Sequence, residues 1–127
     1  MESSRPARIL IVEDEWTIAS MIASIVTGAG CDVVGPTGSL GTALALATSE
    51  PITAALLDIE LGPGIQTYPV AKALKDRGIP FAFVSSRAPD QIDRAYAGYR
   101  LVPKPFQDEE LVQVLADLVR ISGPAAG

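Results

Sequence analysis

Four places along the chain carry side chains able to handle a charged substrate: the acid pair Glu13 and Asp14, the lone Asp58 inside "AALLDIELGPG", the hydroxyls Ser85 and Ser86, and Lys104 before Pro105. Each closes or follows a short apolar run. An ionised carboxylate in a packed interior costs several kcal/mol unless it is paired, so Asp58 belongs at an exposed strand end or beside a partner. Two carboxylates about 4 Å apart repel by about 4 kcal/mol at an effective dielectric near 20. Three brought to one rim would take up protons or recruit a cation. Oxygen donors without histidine or cysteine suit Mg2+ better than zinc, and magnesium combines one or two carboxylates with phosphate oxygens and water. The lysine would supply the second positive charge that an incoming phosphoryl group needs.

Taken singly, each feature has an ordinary explanation. Glu13, Asp14 and Glu15 are acids of the kind favoured at a helix start, Asp58 could cap a turn, and a solitary lysine is usually solvated. Jointly, the ordinary explanation needs four coincidences at the same end of four strands.

The elements that must position these groups are legible as period and punctuation. Continuous apolar runs at 8–13, 31–35, 53–58, 80–85 and 100–102 read as strands covered on both faces. Helical patterns fill the intervals: 15–28 with Ile18, Ile22 and Ile25 on one stripe beside Met21, 39–49 with Leu40, Leu44 and Ala47 behind a capping Ser39, and 67–77 with Val70 and Leu74. Two more are expected at 90–97, with Ile92, Ala95 and Tyr96 behind Asp90, and at 108–121, with Leu111, Leu115 and Leu118. Five strands alternating with five helices predict an α/β fold, flavodoxin-like, a doubly wound (βα)5 unit with a five-stranded parallel sheet of order 2-1-3-4-5 and helices on both faces. In such a sheet ligands bind beyond the carboxyl ends of the strands, where the candidate residues fall. One domain over 7–121 is expected, with flexible tails at 1–6 and 122–127.

Composition removes other classes. The net charge of -5, without a Lys/Arg cluster, argues against nucleic-acid binding. No apolar run reaches the roughly 18 residues of a membrane span, and nothing resembles a secretory signal. The single Cys31 cannot form an internal disulfide and reads as a filler of a core gap, so a cytoplasmic location is expected. The glycines of "GAG" at 28–30 end a helix instead of opening one, and "GPTGSLG" has the wrong spacing for a P-loop, so nucleotide binding is not supported.

The set "IVEDE", "LLDIELG", "PFAFVSS" and "VPKPF", in this order, resembles the receiver domain of two-component response regulators over residues 8–121. That resemblance implies Asp58 as phosphoacceptor and Glu13 and Asp14, with Asp58 and the backbone carbonyl of Glu60, as the ligands of Mg2+. It also implies Ser85 and Lys104 as partners of the phosphoryl oxygens, and a cis bond at Lys104-Pro105. "YPVAKALKDRGIPFAFVSS" is similar to the single-domain alphaproteobacterial receivers whose fourth strand reads PFxFATGY and which often work with HWE-type histidine kinases, although "VSSR" stands here for "ATGY". Leu101 stands where most receivers carry an inward-turning aromatic residue, and Glu60 and Arg87 occupy positions that tune phosphoryl lifetime in the family.

The function expected is therefore that of a stand-alone receiver, not an enzyme acting on other substrates, that accepts a phosphoryl group on Asp58. Because the chain has no histidine, the donor, a histidine kinase or phosphotransfer protein, is another molecule. The surface expected to switch is the 90–121 face, with Tyr96, Tyr99, Leu101 and Val102, as a partner or homodimer surface. Two alternatives are a degenerate receiver that switches without phosphate and a haloacid-dehalogenase-like aspartyl-phosphate hydrolase. The latter would carry its nucleophile near the first strand and a cap domain.

Overall fold

The computed structural model describes residues 5–122. Five strands, β1 (Arg8–Val12), β2 (Asp32–Thr37), β3 (Ala54–Leu57), β4 (Phe81–Ser85) and β5 (Leu101–Pro103), alternate with helices α1 (Trp16–Gly28), α2 (Leu40–Ser49), α3 (Tyr68–Asp76) and α4 (Asp108–Ser122). All strand pairs are parallel and their order is β2-β1-β3-β4-β5, as expected. The tails expected at 1–6 and 122–127 lie outside the described residues except for Arg5, Pro6 and Ser122, the last of which ends α4.

The unbroken apolar runs have a direct cause: successive strand residues point to opposite faces, and both faces are covered. Leu10, Val12, Ala55 and Leu57 face α2 and α3, whereas Ile9, Ile11, Ala54 and Leu56 face α1 and α4. The helix stripes sit slightly off the expected ones. On α1 the buried line is Ala19, Ile22 and Val26, with Ile18 and Ile25 at its flanks and Met21 exposed. On α2 the fully buried positions are the alanines Ala43 and Ala47, and Leu40 and Leu44 pack at the edges. Small residues at the line of contact let α2 approach the sheet closely, and its larger side chains wrap the flanks. Ser39 caps α2 as expected, its hydroxyl accepting the Thr42 amide at 3.2 Å.

β2 runs on past Gly35, where it was expected to stop. The β1–β2 register shifts between Leu10 and Val12, opposite a cis Gly35-Pro36 peptide, and pairing resumes at Thr37. Gly35 has φ +93, and a Cβ there would lie 3.1 Å from the Ile11 carbonyl oxygen, so the bulge requires glycine. Lys104-Pro105 is also cis.

The helix expected at 90–97 does not form. Two single 3-10 turns, Pro89–Gln91 and Arg94–Tyr96, replace it, and Ile92 between them is extended. Local side chains take the backbone groups that a helix would use. The Gln91 side chain accepts the Ala88 amide at 2.9 Å, the Asp93 carboxylate accepts the Ala95 amide at 2.9 Å, and the Asp93 amide donates to the Tyr68 hydroxyl at 2.9 Å. Tyr96 then stacks on Tyr68, with ring centroids 5.3 Å apart and planes 6° from parallel, and meets the edge of Phe83 at 6.0 Å. Tyr99 stacks on Phe81 at 4.7 Å. Tyr96 and Val102, expected on a partner surface, are core residues: the aromatic cluster draws Tyr96 onto one face of the sheet, and Val102 on β5 packs into the α4 layer on the other.

Tyr68→Phe keeps the stacking and deletes the acceptor for the Asp93 amide. It should cost about 1 kcal/mol locally and speed hydrogen exchange at Asp93 roughly fivefold with no change in strand amides, read by NMR exchange.

Candidate functional site

The carboxyl ends of β1, β3, β4 and β5 form one rim. Glu13, one residue beyond β1, is anchored by its amide to the Thr37 carbonyl at 2.9 Å; Asp58, one beyond β3, is anchored by its amide to the Val12 carbonyl at 2.8 Å. Ser85 closes β4 and is buried, and its carbonyl accepts the Lys104 amide at 3.0 Å. The backbone ladder therefore delivers every expected side chain to the same end of the sheet.

The side chains meet there. Lys104 Nζ lies 2.8 Å from Glu13 Oε1 and 3.3 Å from Asp58 Oδ2. Carboxylate oxygens of Glu13, Asp14 and Asp58 all fall within 4.8 Å of one another. Glu13 is 3% exposed and Asp58 9%, whereas Asp14 is exposed to solvent. Burial pushes the Glu13 carboxyl up to about 6, with the charge of Asp58 adding to the effect and Lys104 opposing it. Burial also opposes charge on Lys104, but the carboxylates of Glu13 and Asp58 outweigh it and raise its pKa.

The buried Glu13 Oε1 faces the Lys104 ammonium alone among the described residues. A buried oxygen held by an ion pair only, amid clustered carboxylates and with only oxygen ligands present, fits a hard divalent cation. The residues therefore suit Mg2+, as expected from the sequence.

A second layer of contacts sets the loops around the rim. The Asp58 carboxylate faces two ways, Oδ1 toward the Glu60 amide at 3.4 Å and Oδ2 toward Lys104. The Ser85 hydroxyl accepts the Arg87 amide at 3.0 Å, and the Arg87 guanidinium pairs with Glu60 at 3.2 Å. An open groove of about 540 Å³ adjoins Lys104, walled by Ile18, Met21, Pro105 and Phe106, with Glu15 and Ser86 at its polar side. Trp16, at the start of α1, is 75% exposed.

Two residues packed against the rim escaped the sequence analysis. The segment "PTGS" offers no charged group, yet Gly38 within it packs on the acid pair: a Cβ there would lie 2.6 Å from Asp14 Cα. Thr67, read only as a helix start, is fully buried against the Asp58 peptide. Neither has a local signature, since what matters is a missing side chain in one case and a long-range hydrogen bond in the other.

With the fold and rim in place, the comparisons are consistent. The family model for the response regulator receiver domain matches residues 9–116, and the chain belongs to that family. The solution structure of SdrG from Sphingomonas melonis Fr1 is similar at 35% identity and a TM-score of 0.80, covering 92% of this chain and 99% of that one. The BeF3-activated conformation of SdrG, from Pseudomonas melonis Fr1, is 36% identical with a TM-score of 0.75, covering 88% of this chain and 95% of that one. A CheY-like receiver domain protein from Methanospirillum hungatei JF-1 is 26% identical with a TM-score of 0.81, covering 97% of this chain and 100% of that one. No curated protein sequence matches the chain. Among the described residues no helix is long and apolar enough to cross a membrane.

Two outcomes are expected, the first of them in chelator. Because the folded-state pKa of Glu13 is raised, its stabilising contribution is complete below pH 4.5 and is lost as pH rises through about 6. Glu13→Gln should therefore abolish a loss of about 2 kcal/mol between those limits, measured by urea unfolding across pH. Gly38→Ala should destabilise by about 1–3 kcal/mol through overpacking and weaken Mg2+ binding, followed by Trp16 fluorescence.

Proposed function

We propose that residues 7–121 form a receiver that accepts a phosphoryl group on Asp58 from a histidine kinase or phosphotransfer protein, with Glu13, Asp14, Asp58 and the Glu60 carbonyl holding Mg2+. One observation carries this reading: a nearly buried aspartate at the rim shares one ammonium with a buried glutamate, and the exposed Asp14 carboxylate stands within 4.8 Å of both. The activated conformation of SdrG supports it, since that relative responds to BeF3, a phosphoryl-like group. The position of the acid speaks against a haloacid-dehalogenase-like hydrolase, because Asp58 follows β3 while the acids after β1 are the cation-facing pair.

The chain's residues divide the work. In the proposed transfer an oxygen of Asp58 forms the new O–P bond in line as the N–P bond to the donor imidazole breaks, and the imidazole keeps the electron pair. Lys104, already against Asp58 Oδ2, pairs with one phosphoryl oxygen and so holds negative charge where it accumulates. The bound cation supplies further neutralisation of phosphoryl charge. The apolar groove beside Lys104 gives the donor a surface from which its imidazole reaches Asp58. Water later cleaves the acyl phosphate.

Switching follows from movement of one hydroxyl, which accepts an amide through its oxygen and donates its own proton. Ser85 Oγ now accepts the Arg87 amide. A phosphoryl oxygen on Asp58 draws that hydroxyl away, releasing Arg87 and the segment 86–98 behind it. Leu101 is half-buried against the aromatic cluster, so the response passes through segment 86–98 without an inward-turning ring at that position. The resulting change of surface over 90–121 is the output, read by a partner or a second copy in the cytoplasm.

The test is intact mass after incubation with Mg2+ and acetyl phosphate. A single labile phosphoryl adduct is expected, absent with Asp58→Asn and with chelator. No adduct from acetyl phosphate and none from a phosphorylated histidine kinase would overturn the reading in favour of a phosphate-independent receiver.

A further inference from the structure

Thr67 has no place in the site as read above, yet it is a fully buried polar residue bonded to the acceptor's own peptide. Its hydroxyl donates to the Asp58 carbonyl at 2.6 Å, with a longer contact to the Ile59 carbonyl at 3.3 Å, and its amide donates to the Ile59 carbonyl at 2.8 Å. The seven residues between Glu60 and Gln66 close on themselves: the two ends form an antiparallel bridge, and the Leu61 amide donates to the Ile65 carbonyl at 2.7 Å. The loop is thus a small hairpin whose base is pinned by one side chain. From the other side Thr67 begins α3, its carbonyl accepting the amides of Val70 at 2.9 Å and Ala71 at 3.1 Å.

We propose that Thr67 is a positioning residue for phosphoryl acceptance: its buried hydroxyl fixes the Asp58–Glu60 turn, and with it the aim of the Asp58 carboxylate and the Glu60 carbonyl, against the rigid end of α3. The inference rests on Asp58 being the acceptor. Its physical basis is that backbone at a strand end has lost its ladder partners and is aimed by whatever else bonds it. Asp58 Oδ1 approaches the Glu60 amide at only 3.4 Å, too long to hold the carboxylate alone. A donor at 2.6 Å on the carbonyl of Asp58 itself removes the freedom of the turn, and a misplacement near 1 Å at a reacting group costs on the order of 100-fold in rate.

The substitutions separate positioning from packing. Thr67→Val preserves shape and deletes the donor; Thr67→Ser preserves the donor and deletes a methyl. Leu118→Ala, on the opposite face of the sheet, serves as a destabilised control away from the site. Expected at saturating Mg2+ is a tenfold or greater slowing of adduct formation from acetyl phosphate in Thr67→Val, with Thr67→Ser within about twofold of wild type and Leu118→Ala unaffected. Mg2+ affinity, read by Trp16 fluorescence, should weaken severalfold in Thr67→Val alone. Wild-type rate and affinity in Thr67→Val, or equal slowing in Thr67→Val and Leu118→Ala, overturns the proposal. If the wild type forms no adduct, the acceptor reading fails while the Mg2+ titration still judges Thr67: loss in Thr67→Val alone supports its hold on the turn, and unchanged affinity overturns it.

Discussion

The structure turns on one shared ammonium. Lys104 reaches across from the end of β5 to touch carboxylates carried by β1 and β3. Without it the rim would hold buried like charges whose repulsion has no local answer; burial first, and the charge of Asp58 after it, already push the Glu13 carboxyl up to about 6. Breaking a buried charged set by removing one member is costly because it leaves the others uncompensated. Three carboxylates face one ammonium, so the rim is two positive charges short. That deficit is what makes the rim receptive to a cation.

The sheet supplies the precision. Parallel order β2-β1-β3-β4-β5 places β1, β3 and β4 side by side, so residues one or two steps past their ends are neighbours without any long loop. The anchors are backbone bonds: Glu13 to Thr37, Asp58 to Val12, Lys104 to Ser85. The two apolar layers, divided by strand alternation, keep these anchors fixed, and the loops contribute only the last few ångströms of aim.

Much of this was legible from sequence because it depends on period and order. Glu13, Asp14, Asp58, Ser85 and Lys104 each stand at the end of an apolar run, and a parallel sheet converts that into proximity. What escaped depends on contacts between distant residues. Residues 90–97 carry helical spacing, but Tyr68, remote in sequence, takes the Asp93 amide and stacks on Tyr96, so tertiary contacts override the local pattern. Gly38 acts through the Cβ it lacks, and Thr67 through a bond to a residue nine positions away. On α2 the expected Ala47 is fully buried, whereas Ala43 was passed over for Leu40 and Leu44 because hydrophobicity was weighed and closeness of approach was not.

The two short 3-10 turns also bear on how a signal could leave the rim. A regular helix between β4 and β5 would be a stiff body held by its own ladder, moving as a unit. Here the segment is held by separate side-chain bonds and stacked rings, each able to break without dismantling the rest, which places it among the parts that open most readily. One end of the segment is tied to Ser85 through the Arg87 amide, and its middle to α3 through Tyr68. Thr67, adjacent to Tyr68, is bonded to the Asp58 peptide, so Asp58 touches this segment by two routes, one through β4 and one through α3. Neither route passes through Leu101. A leucine at that position therefore leaves the physical connection between Asp58 and the surface intact.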